Sequence, residues 1–155
     1  MKIQETPAAV AEMLIRRPAA EVFEAFIDPA ITSKFWFTHS SGRLKTGGDV
    51  TWEWRMYGFS SPVKVRDIVK DERIEVEWND PPSAVVWTFM PMFDGATFVS
   101  IRNSGFSGNA DQQVDEAIGS TEGFALVLAG AKAWLEHGLT LGLIDDRFPK
   151  GLPAS

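Results

Sequence analysis

From residue 50 to residue 103 apolar and polar side chains mostly alternate, and beyond residue 110 apolar positions recur every three or four residues instead. The first pattern is the signature of half-buried strands, the second of an amphipathic helix. In residues 50–57 (VTWEWRMY), Trp52, Trp54 and Met56 share one face, and Thr51, Glu53, Arg55 and Tyr57 the other. A turn is expected around residues 60–62, before a strand over 63–70 (VKVRDIVK). Asp71-Glu72 reads as a tight turn into 73–78 (RIEVEW), where Ile74, Val76 and Trp78 alternate with Glu75 and Glu77. Asn79-Asp80-Pro81-Pro82 then breaks the strand. Val85, Trp87 and Phe89 share one face of the next strand, and Thr97, Val99 and Ile101 one face of the strand after it. Phe93-Asp94-Gly95 joins the two as a hairpin. Four or five consecutive strands separated by short turns predict an antiparallel meander.

Upstream, residues 9–16 (AVAEMLIR) read as a first strand, and Pro18 stands where a helix can begin. The helix after it carries Val22, Phe23, Phe26 and Ile27 on one side and stops at Asp28-Pro29. A second short helix is expected over 30–37 (AITSKFWF), and a loop over 39–49, with Gly47-Gly48 as its turn. Downstream, Val114, Ile118, Thr121, Phe124/Ala125, Leu128, Ala131 and Leu135 form the apolar stripe of a helix over about 111–137. Asp111, Asp115 and Glu116 suit the positive end of its dipole, and Gly138 its C-cap. Such a helix runs about 40 Å and needs a broad sheet to lie on. Residues 139–155 are mixed and Pro/Gly-rich, a loose tail on a single domain spanning 1–155 with its core at about 10–138. The fold class is α+β.

Composition narrows the function. A chain of 155 residues buries about two-thirds of its unfolded surface. With 45% hydrophobic and 23% charged residues it is an ordinary globular chain. The net charge of −6, with no dense Lys/Arg stripe, argues against nucleic acid as a partner. No apolar run approaches the roughly 20 residues that cross a bilayer, and residues 1–11 do not read as a signal peptide. The absence of cysteine rules out disulfides and thiol catalysis and fits a reducing, cytoplasmic setting. The unusual feature is six tryptophans beside eleven phenylalanines. Large rings fill cores, and they also line small-molecule pockets.

Strand, two short helices, an antiparallel run and one long C-terminal helix is an order that resembles the START-like, birch-pollen-allergen-like superfamily. Local motifs resemble one branch, named for the activator of the ninety-kilodalton heat-shock-protein ATPase and often grouped with polyketide cyclases. They are Arg17-Pro18-Ala19, Glu21-Val22-Phe23, Phe26, Asp28-Pro29, Trp36, Gly47-Gly48 and the strand from Arg73 through Trp78. Asp94-Gly95-Ala96-Thr97, Asn103-Ser104-Gly105-Phe106, Glu122-Gly123-Phe124 and Leu135-Glu136-His137-Gly138 continue the match. At position 124 family members often carry Trp. The resemblance implies a helix-grip fold, a curved sheet wrapped around the long helix with a cavity between them. Trp36, Trp52, Trp54, Trp78, Trp87, Phe89, Val99 and Ile101 would face that cavity, and Phe124 and Leu128 would close it from the helix.

Catalytic signatures are missing. His39 and His137 lack acidic partners at zinc-ligand spacing, so no metal is expected. No phosphate loop, dinucleotide fingerprint or nucleophile elbow occurs, so no cofactor is expected either. One constellation stands out: His39 in the loop near the cavity mouth, with Glu53, Arg55 and Arg102 expected on neighbouring strands. If Trp52 and Trp54 face inward, Glu53 and Arg55 face solvent. If the tryptophans face outward, the two charges form an inward pair that would mark a functional site. The leading expectation is binding of a small hydrophobic molecule, aromatic or polyketide-like, in a cavity between sheet and helix; a cavity filled by the protein's own side chains would sink it. The alternatives are a cyclase- or hydrolase-type enzyme using the same cavity and a chaperone-associated protein-binding module. The charge-poor stretch 124–131 also makes a homodimer through the long helix an expectation.

Overall fold

The computed structural model describes residues 5–153. Strand β1 (Ala9–Ile15) leads into α1 (Ala19–Ile27), capped by Pro18, and Val22, Phe23, Phe26 and Ile27 are all buried, as the periodicity requires. Asp28 ends α1 and starts α2 (Pro29–Thr32), its carboxylate accepting from the Ala30 N–H at 3.0 Å. The second helix is shorter than expected. The Thr32 hydroxyl donates to the Ala25 and Asp28 carbonyls at 2.5 and 3.0 Å, and residues 33–38 continue as turn and irregular chain.

The meander is β3 (Asp49–Trp54), β4 (Phe59–Val69), β5 (Arg73–Trp78), β6 (Ser83–Pro91) and β7 (Thr97–Ser104). All pairings are antiparallel, and β1 joins β7 at one edge. At the other edge β2 (His39–Ser40), in a stretch read as loop, pairs with β3 and sets His39 opposite Glu53. Among the described residues this is one sheet in the order β1-β7-β6-β5-β4-β3-β2.

Two local expectations shift. The turn placed at residues 60–62 lies earlier: Arg55–Tyr57 form a single 3-10 turn that closes on Gly58 at φ 58°, a conformation glycine adopts without strain. Pro62 therefore sits inside β4, opposite Thr51. Met56 leaves the strand face it was expected to share with Trp52 and Trp54 and is 39% exposed.

Helix α3 (Ala110–His137) has a capping box: Asn109 accepts from the Gln112 N–H at 2.9 Å, and the Gln112 side chain accepts from the Asn109 N–H at 2.8 Å. Gly138 at φ 65° ends it. Its buried side runs through Ala117, Phe124, Leu128 and Ala131, flanked by Val127 and Gly130. Ile118 and Thr121, expected on that stripe, are exposed: Ile118 because one residue beyond Ala117 the helix has turned about 100°, while Thr121 bonds back to the Ala117 carbonyl at 2.7 Å at the edge of the buried side.

The C-terminal end of α3 is pinned to β1. The Lys132 ammonium donates to the Leu14 carbonyl (2.8 Å) and the Glu136 carboxylate (2.6 Å), which also accepts from the Arg16 N–H (2.9 Å). Burial pushes the Glu136 carboxyl up, but the Arg16 N–H, Lys132 and His137 outweigh it and hold the group below its ordinary value. The tail expected to be loose instead forms α4 (Leu143–Arg147), which buries Ile144 in the core. Tyr57 Oη donates to the Ile144 carbonyl and accepts from the Phe148 N–H at 3.3 Å, and Arg147 reaches Glu122 and the Gly119 carbonyl on α3.

Candidate functional site

Alternation along β3, β5 and β6 turns Trp52, Trp54, Trp78 and Trp87 to the sheet face that meets α3. Trp36 enters from the chain between α2 and β2, and Phe124 from α3. Trp36 is the hub. Its ring centroid lies 4.8 Å from Trp52, 5.6 Å from Phe124, 5.8 Å from Trp78 and 6.1 Å from both Trp54 and Trp87. The pairs are tilted or edge-to-face, the arrangement that ring quadrupoles favour. Where a cavity was expected between sheet and helix, the chain's own rings meet one another.

The remaining expected site residues fall into a different group. Phe89 packs edge-to-face against Phe23 at 5.6 Å and lies 6.1 Å from Phe26, beneath α1 rather than beside Trp36. Val99, Ile101 and Leu128 are fully buried. Sequence reading missed Phe37, stacked on Trp52 at 5.1 Å, and Phe26, 6.0 Å from Trp87. Phe37 was hidden by the helix assigned to residues 30–37, whose period gives it no reason to face β3.

Indole N–H groups usually find an acceptor when buried. Two here do not: Nε1 of Trp78 and Nε1 of Trp87 are sealed from solvent without a hydrogen-bond partner. Both rings touch Trp36 and Phe124. Leaving such a donor unpaired costs about 1–3 kcal/mol. The buried polar side chains around the core are Thr32, Ser40, Ser61, Ser83, Thr97 and Asn103, and no charged side chain is buried among the described residues. The interior is thus apolar, aromatic and uncharged, with two free donors.

Clefts also open at the surface. One, about 410 Å³, is lined by Ser33, Lys34, Phe35 and Trp36 on one side and by residues 140–145 on the other. The second, about 330 Å³, runs across β3, β4 and β5 and includes Asp49, Lys64, Glu77 and Asn79. In the second, the hydrogen bond from Arg66 holds the Glu77 carboxyl below its ordinary value.

The charged constellation is not a buried site. Trp52 and Trp54 face inward, so Glu53 and Arg55 face solvent, paired at 3.4 Å with side chains 40% and 66% exposed. His39 is exposed opposite Glu53. Arg102, expected on a neighbouring strand, is exposed on β7, with β6, β5 and β4 between it and β3. No inward charged pair forms.

An antiparallel sheet gripping one long helix, with an aromatic interior between them, defines a START-like helix-grip module. The chain belongs to the family described as Activator of Hsp90 ATPase homolog 1-like protein, whose model matches residues 16–136. A comparison with curated proteins finds no match. Among solved structures, protein SSP2350 from Staphylococcus saprophyticus superposes with a TM-score of 0.74 at 27% identity, over 86% of this chain and 95% of that one. DynU16, from the dynemicin biosynthetic locus, gives 0.73 at 18% identity; 88% of this chain covers 49% of that longer chain. The Aha1 dimer from Colwellia psychrerythraea gives 0.68 at 17% identity, over 84% and 97%. The last two likenesses concern the fold alone. No helix of the described residues is long and apolar enough to cross a membrane.

Proposed function

We propose that this protein binds a small hydrophobic, aromatic or polyketide-like molecule between the sheet and α3 by displacing one of the rings, Trp36, Trp52, Trp54, Trp78, Trp87 and Phe124, that fill this space; the preformed cavity expected from the sequence does not form. The observation that carries the reading is the pair of sealed indole N–H groups on Trp78 and Trp87 inside an otherwise apolar cluster. Phenylalanine at either position would bury no unpaired donor, at the expense of a smaller ring. A ligand oxygen supplies what they lack. DynU16, a fold neighbour, comes from a biosynthetic locus, which is in keeping with small-molecule chemistry for this fold. The enzyme reading has less support, because Glu53, Arg55 and His39 lie in solvent on the far side of the sheet from the rings.

The test is native mass spectrometry of freshly purified protein beside the denatured chain. The expected result is an excess mass that denaturation removes. A bare chain in every preparation, together with no binding of aromatic probes, would refute the binding role. The same spectrum counts chains. Self-association is the second reading, in keeping with the dimeric Colwellia neighbour. Residues 124–131 pack largely against the chain's own core, so pairing through α3 would use its outer side, where Ile118 is 62% exposed.

A further inference from the structure

Building on the binding role above, we infer that Trp36 is a displaceable plug standing in the ligand's place, and that the ligand is a flat, neutral aromatic molecule bearing a hydrogen-bond acceptor.

Three observations lead there. The first is position. The Trp36 ring contacts rings from β3, β5, β6 and α3, so it is the ring that joins the others and lies on the side of the cluster facing the cleft. Yet its backbone belongs to no helix or strand; it follows the four-residue α2, in the irregular chain before β2. A side chain on such a segment can move without breaking the sheet or α3.

The second is available space. The 410 Å³ cleft lined by Ser33, Lys34, Phe35 and residues 140–145 has Trp36 itself as part of its wall. Trp36 therefore separates the ring cluster from a cleft within the size range of small-molecule sites, about 300–1,000 Å³. Rotation of the side chain toward the cleft would open an indole-sized place bounded by Trp52, Trp78, Trp87 and Phe124.

The third is chemistry. An indole has a donor and no acceptor, so Trp36 fills the shape of the site and leaves the Trp78 and Trp87 N–H groups unpaired. A carbonyl-bearing ring of similar shape would fill it and bring an acceptor among the rings that carry them. The buried residues hold no cation, so a carboxylate in this place would lie unpaired, at a cost far above that of a neutral carbonyl. The site therefore selects neutral ketones, quinones or lactones over fatty-acid anions.

The experiment uses 9-fluorenone, its carbonyl-free counterpart fluorene, and dodecanoate, on the whole chain labelled with 5-fluorotryptophan. Calorimetry gives the affinities, and fluorine NMR, assigned with Trp36→Phe, follows the Trp36 ring. Fluorenone is expected to bind about ten-fold tighter than fluorene for each N–H it pairs, and dodecanoate to bind least. The Trp36 resonance should move on addition of fluorenone. Trp87→Phe and Trp78→Phe should each reduce the fluorenone-to-fluorene preference, and Trp36→Ala should tighten both ketone and hydrocarbon. If Trp36→Ala does not fold, the wild-type resonance and the two phenylalanine variants still decide the matter. Equal affinity for fluorenone and fluorene would overturn the acceptor requirement, and fluorenone binding with an unmoved Trp36 signal would overturn the plug, each leaving the binding role standing. No binding of either aromatic probe, in a protein that also carries no excess mass, would overturn both.

Discussion

Replacing Glu136 by Gln should weaken the fold in a way that disappears at acid pH. The Glu136 side chain is 10% exposed, and its Oε2 accepts from the Arg16 N–H at 2.9 Å and from Lys132 Nζ at 2.6 Å. The pin it forms ties the end of β1 to the last turn of α3. Glutamine keeps an oxygen for both donors and loses the charge. A hydrogen bond to a charged partner contributes about 1.5–3 kcal/mol against about 1 for a neutral one, so with two such bonds partly screened by solvent the expected loss is about 1–2 kcal/mol at pH 7. The carboxyl titrates lower in the folded protein than in the unfolded chain. On acidification the unfolded chain therefore takes up the proton first. The advantage of Glu over Gln is complete above the unfolded value of about 4.3 and is lost as the pH falls through the folded one. Urea unfolding of both proteins at several pH values between 3 and 8, read by tryptophan fluorescence, measures the gap. A gap that stays constant through this range, or widens toward acid, would refute the reasoning.

Gly130 and Gly119, both in α3, should respond oppositely to alanine. A Cβ at Gly130 would sit 3.0 Å from Phe35 Cβ and 3.3 Å from its carbonyl oxygen, whereas at Gly119 it would meet nothing within 4 Å. Gly119→Ala should gain about 0.5–1 kcal/mol of helix stability, and Gly130→Ala should lose about 1 kcal/mol or more through overpacking, both read by denaturant melts. Asn103, 2% exposed, donates to Ser83 Oγ (3.0 Å) and the Ala84 carbonyl (2.8 Å) and accepts from Ser120 Oγ (2.8 Å). Asn103→Ala strands those partners and should cost about 2–3 kcal/mol; a loss under 0.5 kcal/mol in the same melts would show that water replaces the amide at no cost.

How much of this was legible in the sequence depends on whether a residue's environment is set locally. The alternation of Ile74, Val76 and Trp78 with Glu75 and Glu77, or of Trp52 and Trp54 with Thr51 and Glu53, reflects a pleat, so the inward face of these strands followed from period two alone. Gly138 and the acidic first turns framed α3 for the same local reason. The shortened α2, the order of residues 33–38 and the docking of α4 follow instead from partners far along the chain. Thr32 caps back onto Ala25, Tyr57 holds residues 144–148, and Gly130 admits Phe35. None of these leaves a periodic trace. Sequence placed most of the interior rings on the inward face but not their grouping, and it missed Phe37. Phe89 alternates as Trp87 does, yet it lies under α1, because which helix covers which part of the sheet is a tertiary matter.

The same distinction explains why a chain rich in rings can read as a pocket and fold as a packed interior without contradiction. Phenylalanine and tryptophan both serve to fill a helix-grip core, so their number alone cannot separate structure from binding. The indole N–H separates them. A core selected only for stability would place its tryptophans where the ring edge reaches water or a carbonyl. Trp134 stands outside the cluster with Lys34 over its ring at 5.5 Å. Trp78 and Trp87 break this rule together, in contact with one movable ring, in an interior with no charge. Two independent packing defects of about 1–3 kcal/mol each are a large share of the 5–15 kcal/mol that holds a domain folded. Such a loss persists in a sequence more readily when something relieves it, and the shape it leaves for that partner is the shape of Trp36.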